Sequence, residues 1–459
     1  MKKLFIYSML AMTMLFASCS DEPAVVEELE APAISELQKD YFIKQGTTLE
    51  LNPTVTNDEK ATFVWKVNGS EVSKDKNYTF SATEPGEYKI ILTVANSGGE
   101  ATQTITVVAY PKYKYGAFVL AEGNMGNETG TLSFIDFEGN AEDSIFIKAN
   151  DGKKLGNAAQ DMAIANGNIY VISQNGTRNG GLARLVIADA ETAKLKAVVD
   201  EGFDGWTTNI AVPNEKNAFV VESDGPMYIV DLASNKVTGK VETKNRFSKM
   251  KMAVIDNYVY AVARTKVVKV DGNTGEVVGE ADFGSQIAGL VKTHTNELKV
   301  MATGTEKIIW TVSKENLTKL AGANLYDINI NTFTQRAFDM EAESGSGFYI
   351  LGNKGWNPGL ITYSSLGEGR EIFSLPSADF PNAEIVYGPL SVNPETGNIY
   401  FGYVKGWSDY FNNGVAVVSP KGEKIMDYNS TNTNVSEKID TRFCAGIYFT
   451  SPFAPKSNN

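Results

Sequence analysis

The chain has 459 residues, with 42 Lys and Arg against 55 Asp and Glu, one His and a formal net charge of −13. So acidic a surface repels phosphate backbones and argues against nucleic acid as a partner, and one histidine is too few for a multi-His metal centre or for any Ser-His-Asp triad that does not run through His294. Apolar residues make up 42% of the chain, enough to bury real cores, and the length allows two or three domains.

Lys2 and Lys3 precede an apolar run from Leu4 to Phe16. That run is shorter than the roughly 20 residues of a bilayer span, so residues 1–18 read as a signal peptide rather than an anchor. Ala17 and Ser18 stand before Cys19 in the pattern of a bacterial lipobox, with Phe16 where that motif prefers an aliphatic residue. Cys19 is therefore the expected lipidation site, each buried acyl CH₂ contributing about 0.8 kcal/mol of membrane anchoring. The alternative is an ordinary residue near a secretory cleavage site. Ser20, Asp21 and Glu22 resemble the acidic export signal of Bacteroidota lipoproteins, which implies the cell surface of the outer membrane, with periplasmic retention as the other outcome. Residues 19–32 read as an acidic tether.

Residues 33–110 change to short alternating strands, "TFVWKVNG", "GEYKIILTVAN" and "TQTITVVAY", separated by turns. Trp65 and Tyr88 resemble the core tryptophan and corner tyrosine of immunoglobulin-like and PKD-like modules. The expected fold here is an Ig/PKD-like β-sandwich, with both rings as packing residues and the module as a spacer.

Beyond Pro111 a unit repeats. "IYVISQ" at Ile169, "AFVVES" at Ala218, "VYAVAR" at Val259, "FYILGN" at Phe348 and "IYFGYV" at Ile399 are near-identical strands, and several lead into a second strand ending at Asp136, Asp231 or Asp271. The separation of the last two fits four short strands per propeller blade, and each aspartate is expected to cap a turn through nearby backbone amides. The fold class is thus all-β, with the sandwich followed by a seven-bladed β-propeller over 115–455. Phe443 to Thr450 should pair with Ala117 to Glu122 and so complete the first blade. Between Thr305 and Met340 both "IIWTVS" and "LYDINI" fit the third strand of the fifth blade, leaving six blades as an alternative and eight as a weaker one. Cys444, in "FCAGIYFT", reads as a buried structural thiol.

Loops joining second to third strands, and each outer strand to the next inner one, share one face of a propeller. In this chain they carry Asn124 and Asn127, then Gln174, Asn175 and Arg178, then Trp206, Arg246, Phe247 and Arg264, and finally Lys354, Trp356, Trp407 and Tyr410. Exposed aromatic rings forfeit their burial energy unless something covers them, so this set is the expected ligand-binding face. The search for chemistry is otherwise negative: the chain lacks the GxSxG, CxxC, HExxH, Walker and EF-hand patterns. His294 reads as a surface turn residue on the opposite face. Carboxylates Glu122, Glu222, Asp224 and Asp409 leave a glycosidase-like pair as the minority reading, and the expectation is a non-enzyme without a cofactor.

"GAFVLAEGNMGNETGTLSFID" followed by "LGNAAQDMAIANGNIYVIS" resembles the opening of the Bacteroidota surface propellers of the DUF5074, YncE-like type, a group that includes the BtuG-like cobalamin-binding lipoproteins. The resemblance covers roughly Tyr115 to Phe453, and a PKD-like module is a familiar companion. It implies capture of a corrinoid or another bulky small molecule on one propeller face and delivery to a TonB-dependent transporter. Aromatic rings for stacking and amide or guanidinium groups suit such a macrocycle. Surface glycan binding and a protein-interaction scaffold are the alternatives.

Overall fold

A computed structural model describes residues 29–450 apart from 294, 326, 343–346 and 366–367. The signal peptide, Cys19, most of the tether and His294 lie outside the described residues. The chain divides into two compact units, parting near Tyr110.

In the N-terminal unit a five-stranded antiparallel sheet runs in the order Asp40–Lys44, Gly99–Tyr110, Gly86–Asn96, Thr62–Val67, Ser70–Ser73. Two two-stranded ribbons accompany it, Ala33–Ser35 with Thr54–Thr56 and Thr48–Leu51 with Tyr78–Ser81. Alternation along the strands sends Trp65, Ile90, Leu92, Val94, Ile105 and Val107 into one core with Leu51, Val55 and Phe80 from the ribbons. Trp65 is fully buried and its indole N–H donates to the Asp75 carbonyl at 2.9 Å. The Tyr88 hydroxyl donates to the Glu84 carbonyl at 2.8 Å, a corner of the expected kind. The last residues assigned to the tether belong to this unit, because the carbonyls of Glu30 and Ala31 accept from Asn96 and Asn57.

Among the described residues the larger unit holds seven four-stranded antiparallel sheets. The first is built from Cys444–Phe449, Gly116–Ala121, Thr131–Asp136 and Ala141–Glu142, so the C-terminal strand supplies the inner position, with Ala117 opposite Phe449. Sheets two to seven are simple meanders whose inner strands are Ala159–Ala165, Thr207–Ala211, Ala253–Ile255, Gln286–Lys292, Phe338–Met340 and Ile385–Val392. In the fifth sheet the third strand is Lys307–Val312, which contains "IIWTV", while "LYDINI" falls in the connection to the sixth sheet. The tie between the two segments is broken by register: Lys307–Val312 pairs residue for residue with Leu298–Thr303.

Each sheet shares an apolar cluster with the next, from the first and second through the sixth and seventh. The seventh shares one with the first, joining Val415, Val417 and Tyr428 to Ala117, Val119 and Ile135. Cys444 lies in that last cluster as a buried free thiol, pushed up to about 12 by burial. Gly402 faces it, where an added Cβ would stand 2.2 Å from that of Cys444, so only glycine fits. Asp136, Asp231 and Asp271 each accept backbone amides of the following turn, as from Ser234 at 2.7 Å and Asn273 at 2.8 Å. These caps spare turn amides a search for partners and fix the outer strands.

Candidate functional site

The inner strands do not keep simple register. An extra residue interrupts pairing at Ala445, Gln160, Thr208 and Ala288 in the first, second, third and fifth sheets, and Gly388 to Leu390 do so in the seventh. A bulge re-aims side chains locally, and here the bulges recur where the inner strands meet the loops that carry the predicted binding residues. A cavity of about 60 Å³ lies at that end, lined by Glu122, Lys249, Thr334, Gln335, Tyr387 and Trp407 among others. Residues of the first, sixth and seventh sheets meet there with the connections that enter the fourth and sixth.

Glu122 opens the "EGN" segment. Gly123 after it adopts φ +71°, and an added Cβ would strike the Thr129 carbonyl at 2.2 Å, so the turn requires glycine. Burial raises the Glu122 carboxyl above its usual range, while Lys249 and hydrogen bonds from Gln160 and Tyr387 oppose the rise. Burial also raises the Tyr387 phenol, with Glu122 adding to it. Between its ordinary value of 4.5 and the raised one, the folded chain holds a proton on Glu122 that the unfolded chain has lost, so this group's contribution falls as pH rises through that window. Glu122→Gln is expected to be more stable than the parent at pH 7, with the gap narrowing as pH falls towards 4.5; urea midpoints across that range check it.

Beneath the cavity the shaft is closed by polar side chains. The Gln335 carboxamide accepts from Asn209 Nδ2 and donates to the Gln160 carbonyl at 2.9 Å. Asn209 Nδ2 also donates to Asp161 Oδ2 at 3.3 Å. Asp161 is 1% exposed and accepts in addition from Tyr448 Oη at 2.9 Å and Lys251 Nζ at 3.1 Å. Burial draws the Lys251 ammonium below its ordinary value, against the pull of Asp161. On the far side lies a second cavity, of about 370 Å³, where Met162, Ile210, Val212 and Ile447 meet the charged Lys251, Arg336 and Asp339.

The predicted residues are placed unevenly. Trp407 lines the upper cavity, 52% exposed, with its indole 6.2 Å from the Tyr387 ring and its N–H donating to Asn357 at 3.4 Å. Asn124 and Tyr410 are brought together: Asn124 Nδ2 donates to Tyr410 Oη at 2.9 Å, and the Tyr410 ring stacks on Phe411 and Phe443. Trp206 and Trp356 are 58% and 99% exposed. Arg246 and Arg264 flank Asp224 at 3.7 and 3.3 Å, all three exposed. Lys354 reaches Ser374 at 3.2 Å. Arg178 is exposed, and Asn175 donates to Asn157 at 2.8 Å. Asn127 lines a separate cavity of about 290 Å³ with Glu128, Asp143, Asn179, Asp440 and Arg442.

Two expectations need correction. Phe247 is fully buried in the cluster between the third and fourth sheets, because its amide donates to the Gly225 carbonyl at 2.8 Å and draws the ring under the loop; it is a packing residue. Gln174 is only 7% exposed, so its side chain is sequestered from the rim. Conversely Phe333, 86% exposed at the cavity edge, and Lys249, Gln335 and Tyr387 were not singled out by sequence. Phe333 and Gln335 fall in the ambiguous stretch after Thr305, where the strand assignment was open. Among the described residues no cluster of three or more His, Cys, Asp or Glu is placed to hold a metal ion.

Comparisons with known proteins agree with this architecture. Residues 32–96 match the PKD-like domain. No curated protein matches the chain. Among solved structures, a quinonprotein alcohol dehydrogenase-like protein of Bacteroides thetaiotaomicron is similar at 18% identity with a TM-score of 0.54, over 92% of this chain and 99% of that one. That likeness shows the fold. The WD40 β-propeller domain of Doa1 is 13% identical with a TM-score of 0.41, over 59% of this chain and 81% of that one. A computationally designed protein, Ika8, is also 13% identical, with a TM-score of 0.43 over 72% and 93%. The larger unit is a β-propeller, and the match of residues 115–450 makes the chain a member of the family described as a domain of unknown function, DUF5074.

Proposed function

We propose that the chain is a non-enzymatic surface capture protein, anchored through Cys19, whose seven sheets are the blades of one closed propeller. Its PKD-like module is read as a sandwich that spaces the propeller from the membrane. The face bearing Trp206, Phe333, Trp356, Trp407 and Phe411 holds a bulky small molecule, a corrinoid, for transfer to a TonB-dependent transporter. One observation carries this: five large aromatic side chains are more than half exposed on the loops at one end of the sheets. Covering an exposed aromatic ring stabilises a complex by roughly 1.5–3 kcal/mol at about 25 cal/mol per Å². The central cavity of about 60 Å³ admits a functional group rather than a whole ligand, since drug-sized ligands fill roughly 300–1,000 Å³. A large ligand would therefore lie across the rim with one group pointing down.

The cavity around Asn127 favours a second reading. Its wall of carboxylate, amide, hydroxyl and cationic groups suits a hydroxyl-rich ligand such as an oligosaccharide. Incubation of the purified protein with cyanocobalamin, followed by gel filtration and an absorbance spectrum, separates the two. Retained visible absorbance at about one equivalent is the expected result. Colourless protein that is retarded in polysaccharide gels would replace the corrinoid with a glycan. Failure of both, with co-purification of a barrel transporter, would make the face an interface.

A further inference from the structure

The lower cavity, of about 370 Å³, is built by the inner strands themselves. Every inner strand but that of the fifth sheet contributes: Tyr448 from the first, Ile164 from the second, Ile210 from the third, Val254 from the fourth, Asp339 from the sixth and Ser391 from the seventh. Its volume falls within the roughly 300–1,000 Å³ of small-molecule sites. Met162 and Met252 on its wall are flexible thioethers that adjust to an apolar occupant. Lys251, Arg336 and Asp339 line it as well, with side chains 21%, 14% and 17% exposed.

The carboxylates near this cavity are already engaged, while its cations keep donors to spare. Asp161 accepts from Tyr448 Oη, Asn209 Nδ2 and the amides of Met162 and Ile210 as well as from Lys251. Asp339 accepts from the amides of Met340 and Val392, at 3.0 Å each, and stands 3.5 Å from Arg336 Nη2. Among the described residues Arg336 donates through Nη2 alone, to the Leu390 carbonyl at 3.2 Å, and its Nε is buried without a partner. Lys251 gives one of its three N–H groups, to Asp161 at 3.1 Å. The two cations also repel each other: Arg336 adds to the burial that draws Lys251 below its ordinary value. An ammonium entering this cavity would meet two like charges, and a hydroxyl would use a single donor. A carboxylate accepts from both cations in charge-assisted bonds and relieves their repulsion.

We propose that the lower cavity is a second binding site, for a small amphiphilic carboxylate whose head lies between Lys251 and Arg336 and whose apolar body lies against Met162, Ile164, Met252 and Val254. It is separate from the aromatic face and does not depend on what that face holds. The test uses hexanoate, 1-hexanol and hexylamine on the full chain at pH 7, with saturation-transfer NMR titrations as readout. Hexanoate is expected to bind at least tenfold more tightly than 1-hexanol, and hexylamine most weakly of the three. Arg336→Gln should remove most of the preference for hexanoate over 1-hexanol. Val254→Phe, which fills the apolar wall and leaves the charged groups in place, should weaken hexanoate and 1-hexanol alike by several-fold. Should Arg336→Gln fail to fold, the comparison of probes on the parent still tests the charge and Val254→Phe still tests the place. Equal binding of hexanoate and 1-hexanol, tighter binding of hexylamine, or a preference unchanged in folded Arg336→Gln overturns the site. Hexanoate binding that Val254→Phe leaves intact overturns it too, by placing the carboxylate elsewhere on the chain.

Discussion

Asp161→Ala is expected to destabilise the propeller by about 3–5 kcal/mol, the range for stripping one partner from a buried ion pair. The carboxylate is nearly inaccessible and gathers donors from several sheets. Met162 N donates at 2.8 Å from its own strand, Ile210 N at 3.2 Å and Asn209 Nδ2 at 3.3 Å from the third sheet, and Tyr448 Oη at 2.9 Å from the first. Lys251 Nζ, at 3.1 Å, comes from the segment entering the fourth sheet, and lies 3.8 Å from the Tyr448 ring centroid. Alanine would leave the phenol O–H without its acceptor and the Lys251 ammonium without the carboxylate it donates to. Lys251, already held below its ordinary value by burial, would then be pushed further towards the neutral form. Asp161→Asn keeps the shape but not the charge and should cost less than alanine. Asp161→Asn combined with Lys251→Met should lie closer to the parent than Lys251→Met alone, because neither partner is then left as a lone ion. Urea unfolding, followed by tryptophan emission, measures all four; a loss below about 1 kcal/mol for Asp161→Ala would show that the network is not what holds the inner strands together.

That network also marks where sequence reading stops. The repeat was legible because a strand buried on both faces writes a short apolar run between turn residues, as in "NIYVIS" or "NAFVVE", and because Asp231 and Asp271 announce their turns. The pairing of Cys444–Phe449 with Gly116–Ala121 was legible from the unmatched ends of the repeat. The cavity was not. Its wall uses inner-strand residues re-aimed by bulges, and nothing in "AAQDMAIA" tells that Gln160 is the residue that breaks register while Asp161 faces the shaft. Loop aromatics carry a similar ambiguity. Trp206 and Phe247 both follow short polar segments and both are tied across their loops by a backbone hydrogen bond, to Ser223 and Gly225, yet one is 58% exposed and the other is fully buried in the cluster of the third and fourth sheets.

The contrast between those two rings gives the second large effect. With cyanocobalamin as the probe, Trp407→Ala is expected to weaken binding by about 10–100-fold, or about 1.4–2.7 kcal/mol, in the range of an aromatic hot spot. Trp407 should outweigh Trp206 and Trp356, since its contacts with Asn357 and Tyr387 hold the indole in place before a ligand arrives and less side-chain freedom is lost on binding. Trp356, almost wholly in solvent, must be ordered by the ligand itself, so its alanine variant should lose several-fold in affinity while unfolding within about 0.5 kcal/mol of the parent. Phe247→Ala should do the reverse. Emptying a fully buried aromatic site costs about 3–5 kcal/mol, yet the folded fraction should bind as tightly as the parent, because that ring touches the core and not the rim. Titration at a temperature where every variant is folded separates the two classes, and equal affinity for parent, Trp206→Ala, Trp356→Ala and Trp407→Ala would remove the aromatic face from the account of binding altogether.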